Sequence, residues 1–342
     1  MQPIRRAVID VGTNSVKLLV ADLAGHEIRP VCEQSKQTRL GHGFYETHLL
    51  QAEAIAATVK AAADFATVAR AAQAVSIRVI ATSAAREAVN REQLTAAIEQ
   101  ASGLKVEVIS GEQEAEWGYL GVTTDPQLAQ APLLLMDVGG GSTQLVFGRD
   151  GRVVLRLSFP LGTVRLMETI PCSDPPRRGE LAACRQRLKD FLQKEARPKL
   201  MPRIEGAGAP GAVAQRLLTP TATRAGGTTQ LVGVGGTASI LGCMEAGLVA
   251  FDRARIEATR LSMTRVSWHL ERLWSLPLEQ RKNIVGLPKN RADVILMGVA
   301  VYHAVMEEFG FHELRLSTRG LRFAALVQPS PESSCYPSTQ PP

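Results

Sequence analysis

Two aspartates end apolar runs and are followed by glycine and hydroxyl residues: Asp10-Val11-Gly12-Thr13-Asn14-Ser15 and Asp137-Val138-Gly139-Gly140-Gly141-Ser142-Thr143. Ala7-Val8-Ile9 and Leu133-Leu134-Leu135-Met136 lead in, and Val16-Lys17-Leu18-Leu19-Val20 and Gln144-Leu145-Val146-Phe147 lead out. Each unit reads as a buried strand, a tight polar turn and a second strand. Glycine in such a turn lets backbone N–H groups approach an anion, and a carboxylate at the strand end can hold a hydrated cation beside it. The chemistry this predicts is binding of phosphate. The repetition points to a duplicated fold whose halves face each other across a cleft. A third loop, Gly233-Val234-Gly235-Gly236-Thr237-Ala238, follows Leu231-Val232 and opens into a helix.

The acidic run Glu112, Glu114 and Glu116 lies just past another strand end, on the same sheet edge as the Asp10 loop. Acidic residues at a helix start are favoured by the helix dipole, which accounts for Glu112. A carboxylate at such an edge can also orient a water, as hydrolysis of a phosphoanhydride requires together with cations that neutralise the transferred group. Arg86 and Arg39 sit in turns after strands, where solvated structural roles and phosphate contact both fit.

Other motifs exclude rival chemistries. Gly206-Ala207-Gly208-Ala209-Pro210-Gly211 satisfies the dinucleotide pattern but lacks a preceding strand, and Pro210 stands where the helix should begin. No Gly-x-x-x-x-Gly-Lys-Ser/Thr loop, Gly-x-Ser-x-Gly elbow or His-Glu-x-x-His spacing occurs. The five cysteines form no Cys-x-x-Cys pair and are odd in number, against a disulfide framework or a zinc site.

The elements that must position these residues follow from periodicity. Strands are expected at about 4–10, 16–23 and 27–36, then a long helix with Ile55, Val59, Ala62, Ala66, Ala69 and Ala72 on one face. Ile77–Ala81 and Val106–Ile109 read as strands running into helix starts, with Thr82 or Ser83 and Ser110 at the turns. Thr123-Thr124-Asp125-Pro126 marks a boundary, giving domains over 1–125 and 126–328. The second half replays the first with strands at 133–138, 143–149 and 152–159, a helix at about 180–197 and a glycine-, alanine- and proline-rich insertion from Gly206 to Gly227. Helices at about 236–247, 264–275 and 291–309, a strand at 313–316 and a last helix from about Arg319 close the fold. Residues 329–342 read as a disordered tail.

At 342 residues the length favours two domains, and the net charge of +6, mostly arginine, suits a polyanionic substrate. No signal-like segment and no long apolar run occur, so a cytoplasmic protein with neither a membrane nor a DNA partner is expected.

The motifs together resemble the Ppx/GppA phosphatases, the exopolyphosphatase/guanosine pentaphosphate phosphohydrolase family. The resemblance runs from about residue 4 to 327 and also includes Arg39-Leu40-Gly41, Ala81–Asn90, Ile109–Ala115, Ser158–Leu166 and Arg291-Ala292-Asp293. It implies an α/β protein of duplicated actin-like ATPase (ribonuclease H-like) domains, as in sugar kinases, with an active site in the interdomain cleft. It also implies Mg²⁺-dependent hydrolysis of the terminal phosphate of inorganic polyphosphate or of the 5′ γ-phosphate of pppGpp, and a homodimer. By motif position, Glu114 is similar to the general base, Arg86 to the phosphate-binding arginine, and Asp10 and Asp137 to the cation-associated acids. Gly12, Thr13, Asn14, Ser15, Arg39, Gly139, Gly140, Gly141, Ser142, Thr143, Gly235 and Gly236 would cradle phosphate. The superfold suggests that residues 319–327 pack back onto the first domain.

Two positions depart from the pattern. Gln144 stands where Glu is usual, removing a possible metal ligand. Ser317-Thr318-Arg319-Gly320-Leu321-Arg322-Phe323-Ala324 replaces a Ser-Asp-x-Gly-Leu-Arg-Glu-Gly segment. The chain resembles the short form without an HD-like C-terminal domain, and a weakly catalytic binding protein and a kinase of the same superfold remain as alternatives.

Overall fold

The computed structural model describes residues 3–25, 27–170, 172–204 and 229–329. The expected insertion at Gly206–Gly227, the dinucleotide-like run within it and the expected tail from residue 330 onward lie outside the described residues.

Five strands form the first sheet: β1 (Ile4–Val11), β2 (Ser15–Ala24), β3 (Glu27–Gln37), β4 (Ser76–Ala81) and β5 (Val106–Val108), in the order β3-β2-β1-β4-β5. The second contains β6 (Leu133–Val138), β7 (Thr143–Arg149), β8 (Arg152–Phe159), β9 (Gln230–Val234), β10 (Arg260–Ser262) and β11 (Glu313–Leu316), in the order β10-β11-β9-β6-β7-β8. With the antiparallel edge strand β10 set aside, both sheets have one topology. In each, the first strand pairs antiparallel with the second and parallel with the fourth. The duplication announced by the two Asp-Val-Gly units therefore extends to whole sheets.

Alternation along β1 explains how both faces of the first sheet are covered. Ala7, Ile9 and Val11 face a core shared with Phe65, Ala66 and Ala69 of helix Ala52–Ala71 and with Leu94 and Ile98 of helix Arg91–Ser102. Val8 faces the other way, with Leu19 and Ile80, against Leu321, Phe323 and Leu326 of helix Leu321–Val327. The chain's last described helix thus packs on the first sheet. The helix that leaves the first sheet, Gly111–Val122, instead lays Ala115, Tyr119 and Val122 on Leu133, Leu135, Val146 and Val232 of the second. These two helices cross where Gly121 meets the Gly320 carbonyl, so closely that a β-carbon at Gly121 would collide with it. On the far face of the second sheet, Leu134, Met136, Leu145 and Phe147 join the core of helix Ile295–Phe309.

Four expectations shift. The helix expected from 291 starts at Ile295, after a 3₁₀ turn over Lys289–Arg291. The helix expected over 180–197 begins at Arg178 and continues through a π turn, Leu192–Ala196, to Ile204. The last helix starts at Leu321 rather than Arg319. Thr82 precedes helix Ser83–Glu87 without a side-chain cap, and Ser83 Oγ donates to Glu87 Oε1 instead.

Candidate active site

The turns between β1 and β2 and between β6 and β7 close in the same way. Gly12 N–H donates to the Ser15 carbonyl (3.1 Å) and Gly139 N–H to that of Ser142 (2.9 Å). The two hairpins meet tip to tip: a β-carbon on Gly140 would lie 2.9 Å from Thr13 Cβ and 3.3 Å from Asn14 N. Backbone alone fits there, which is why the sequence places glycine at the closest approach. Arg165 fixes the second hairpin from behind. Its Nε donates to the Gly141 carbonyl (2.9 Å), its Nη2 to Glu87 Oε2 (2.6 Å), and its guanidinium lies 4.1 Å from the Tyr45 ring centroid.

Asp10 and Asp137 stand at corresponding strand ends beneath the hairpins. Gly235, at φ +81°, passes against Asp137 Oδ1 so closely that a β-carbon could not fit. Lys17, directly across the hairpin from Asp10, feels the charges of both aspartates. Burial raises both carboxyls, Asp137 to about 6, while Lys17 opposes the rise. Burial also lowers the Lys17 ammonium, which the aspartates partly restore.

Helical geometry sorts the three glutamates. Ser110 caps helix Gly111–Val122 by accepting from Gln113 N–H (3.0 Å). Glu112 and Glu116, one turn apart, both pair with Arg156 on the outside, at 3.8 and 3.2 Å. Glu114 points the opposite way, its side chain only 13% exposed, and accepts from Arg86 Nη1 at 3.0 Å. The same nitrogen donates to the Ile109 carbonyl (2.9 Å), so the end of β5 fixes Arg86 and Arg86 fixes Glu114. Burial pushes the Glu114 carboxyl up to about 7; Arg86 opposes this, and the charges of Asp137 and Asp10 add to it. A carboxylate poised near neutrality, held rigidly beside two acids and two glycine-rich turns, is suited to take a proton from water.

The model of the Ppx/GppA phosphatase family matches residues 19–331. The chain belongs to that family. Exopolyphosphatase 2 of Mycobacterium tuberculosis is 33% identical over 313 residues, covering 89% of this chain and 90% of that one. The crystal structure of the Aquifex aeolicus Ppx/GppA family member matches with a TM-score of 0.73 at 28% identity, over 95% of this chain and 97% of that one. An exopolyphosphatase from Cytophaga hutchinsonii shares the fold, with a TM-score of 0.79 at 23% identity over 94% and 96% of the two chains. As a Ppx/GppA phosphatase, the chain is a hydrolase acting on phosphoanhydride bonds, with the actin-like ATPase fold.

Not every hydroxyl or arginine of the Ppx/GppA motifs is free for phosphate. Thr143 Oγ1 donates to the Leu161 carbonyl and Thr13 Oγ1 accepts from Ala84 N–H (3.3 Å). Gln144 is buried, with Nε2 donating to Ser142 Oγ (2.8 Å) and Ser158 Oγ (3.3 Å), so its amide braces the turn. Arg39 adopts φ +53° and pairs with Asp293 at 2.9 Å, closing the rim. Ser15 Oγ receives Arg291 Nη1 at 3.5 Å. In place of the family's usual Asp, Thr318 contacts Glu257 and Arg253.

Three cations were given no role by the sequence reading, although two of them stand in its quoted motifs: Lys17, Arg291 and Arg322. Cross-strand register supplied a signal for the first, because a two-strand hairpin that closes Gly12 on Ser15 sets Lys17 opposite Asp10. Arg322 donates to the Leu18 carbonyl (2.7 Å) and to Glu33 Oε2 (3.2 Å), and its charge acts on Asp10.

Asp10 and Asp137 are the carboxylates of the cleft that a Mg²⁺ ion could use. Asp10 Oδ1 is buried without a hydrogen-bond partner. Mg²⁺ uses one or two carboxylates and completes its shell with water and substrate phosphate. No cluster of three or more acidic, histidine or cysteine ligands occurs among the described residues, so a cation here would take the rest of its shell from water and substrate.

Proposed function

We propose that the protein is an exopolyphosphatase, releasing terminal orthophosphate from inorganic polyphosphate. Glu114 carries this reading: it is the one carboxylate of its helix's acidic run turned inward, raised to about 7 and oriented by Arg86. In it, Glu114 takes a proton from a water that attacks the terminal phosphorus, with the leaving oxygen on the opposite side. The N–H groups at the tips of the two hairpins, beyond those of Gly12 and Gly139 that close the turns, bind the phosphoryl oxygens. Arg86 holds Glu114 in register and adds positive charge beside the transferred group. Asp10 and Asp137 would hold a Mg²⁺ ion, which when bound neutralises charge on the phosphate oxygens.

Polyphosphate is favoured over pppGpp by the arginine-rich, net-positive chain and by the 33% identity to a protein named Exopolyphosphatase 2. The test is orthophosphate release by the purified protein, with Mg²⁺, from long-chain polyphosphate and from pppGpp in parallel. Release that favours polyphosphate and stops when EDTA removes the cation supports the reading. Preference for pppGpp makes the protein an alarmone phosphatase, and tight binding of either anion without release makes it a regulator.

A further inference from the structure

Residues 38–50, between β3 and helix Ala52–Ala71, form a strap that runs from the first hairpin to the second half of the chain. Its near end is bonded to the first hairpin. Thr38 and Arg39 N–H both donate to the Asn14 carbonyl (3.1 Å each), and Gly41 N–H donates to that of Thr13 (2.8 Å). Its far end meets a single side chain, Glu168. Oε1 of that residue accepts from Gly43 N–H (2.7 Å) and Oε2 from Tyr45 N–H (3.4 Å), so one carboxylate gathers two amides of the strap.

Glu168 belongs to helix Thr163–Thr169, which is built onto the second hairpin. The N–H groups of Thr163, Val164 and Arg165 donate to the Gly139 and Gly140 carbonyls, at 2.9, 2.9 and 3.2 Å. Helix start and turn thus satisfy each other's free backbone groups and form one body. The same helix reaches the first half through Arg165, which pairs with Glu87 and lies on the Tyr45 ring. Tyr45 in turn stands at the tip of the second hairpin, where a β-carbon on Gly141 would lie 2.5 Å from its hydroxyl.

A series of hydrogen bonds therefore runs from Asn14 and Thr13 through the strap and Glu168 to Gly139 and Gly140, and the links in it that cross between the halves are the two at Glu168. The hairpin tips touch at Thr13 and Gly140 by van der Waals contact, which holds them close; directional hydrogen bonds set their register.

We propose that Glu168 is a positioning residue for the phosphohydrolase reaction: by clasping the strap it sets the first hairpin against the second so that the N–H groups of both tips meet one phosphoryl group. The proposal rests on the reading that both turns bind that group. Phosphoryl transfer depends chiefly on positioning and charge, and a misplacement of about 1 Å can cost about 10²-fold in rate. Glu168 contacts Gly43, Tyr45 and His42, none of which takes a chemical step, so its effect passes through the strap.

The test compares Glu168→Ala, Glu168→Asp and Glu168→Gln with the parent by orthophosphate release from polyphosphate with Mg²⁺, by Tm, and by amide hydrogen exchange of residues 42–46. Gln keeps an acceptor oxygen within reach of Gly43 N–H without the charge, whereas Asp keeps the charge one carbon short. The Ala and Asp variants should lower kcat about 10- to 100-fold and quicken exchange in the strap, while Gln restores much of both. Tm should fall by only a few degrees, because the lost bonds are neutral-donor bonds to a carboxylate already 20% exposed. Quickened exchange with kcat unchanged makes Glu168 a structural tie and overturns the proposal. So does an Asp variant that matches the parent while Gln fails, since charge and not reach would then matter. Should Glu168→Ala fail to fold, the order of Gln and Asp decides. If the parent releases no phosphate, the exopolyphosphatase reading falls, and the clasp is judged by polyphosphate affinity in the same proteins: the same order supports it, and equal affinities overturn it.

Discussion

Glu114 and its neighbours set two expectations at the scale of single residues. A base raised to about 7 works only once ionised, so kcat should rise with pH through about 7 and level off above it, as a pH–rate profile will show. The same shift has a cost in stability. Glu114 and Asp137, at about 7 and 6, hold protons in the folded state at pH values where the unfolded chain has released them. Folding stability should therefore fall as pH rises from about 4 to about 7, the sign expected when the folded state binds more protons. Glu114→Gln should flatten part of that slope in thermal melts taken across this range. These residues were legible in the sequence to different degrees. The acidic run stood out by its place after a strand and motif position singled out Glu114; the helix phase, which turns Glu112 and Glu116 toward Arg156, supplies the physical reason. Lys17 and Arg291 belong to no glycine-rich motif, and only the register of β1 with β2 and the fold of the 289–293 segment bring them to the cleft.

Elements were easiest to read where one apolar run is bounded by polar turns. The strands at 133–138, 143–149, 152–159 and 313–316 have the expected bounds, since buried sheet strands need unbroken or alternating apolar residues. Helix Arg91–Ser102 was not foreseen, because it buries only Leu94 and Ile98 among its apolar side chains and so has little period to detect. The late start of helix Ile295–Phe309 has a tertiary cause. Arg39 pairs with Asp293 and Gln37 with the Asn290 carbonyl, drawing 290–293 toward the first sheet. A prediction belongs to the hairpin elements. Gly235 combines φ +81° with contact against Asp137, so Gly235→Ala should destabilise the fold by about 1–3 kcal/mol and depress activity further by displacing the carboxylate. Denaturant unfolding and kcat, measured on the same preparation, separate the two effects.

At the scale of the molecule, two like sheets are joined by a pair of crossing helices and by contacts across the cleft. Glu33 of β3 accepts from both Arg253 and Arg322, while Gly43 N–H donates to Glu168 Oε1 (2.7 Å). The repeat in the sequence foretold two halves and the resemblance foretold the last helix's return to the first sheet, but neither foretold that helix Gly111–Val122 lies on the second. The crossing at Gly121 and Gly320 makes that exchange possible, and Gly121→Ala should cost about 1–3 kcal/mol by overpacking it, read as a lowered Tm. The central claim is that a base-activated water cleaves the terminal phosphoanhydride in this cleft. Its most direct test is steady-state orthophosphate release from polyphosphate by the parent protein and by Glu114→Gln, at saturating Mg²⁺. Glu114→Gln should show a kcat lower by about 10²–10⁴ while melting as sharply as the parent. Turnover within a fewfold of the parent would contradict the central claim.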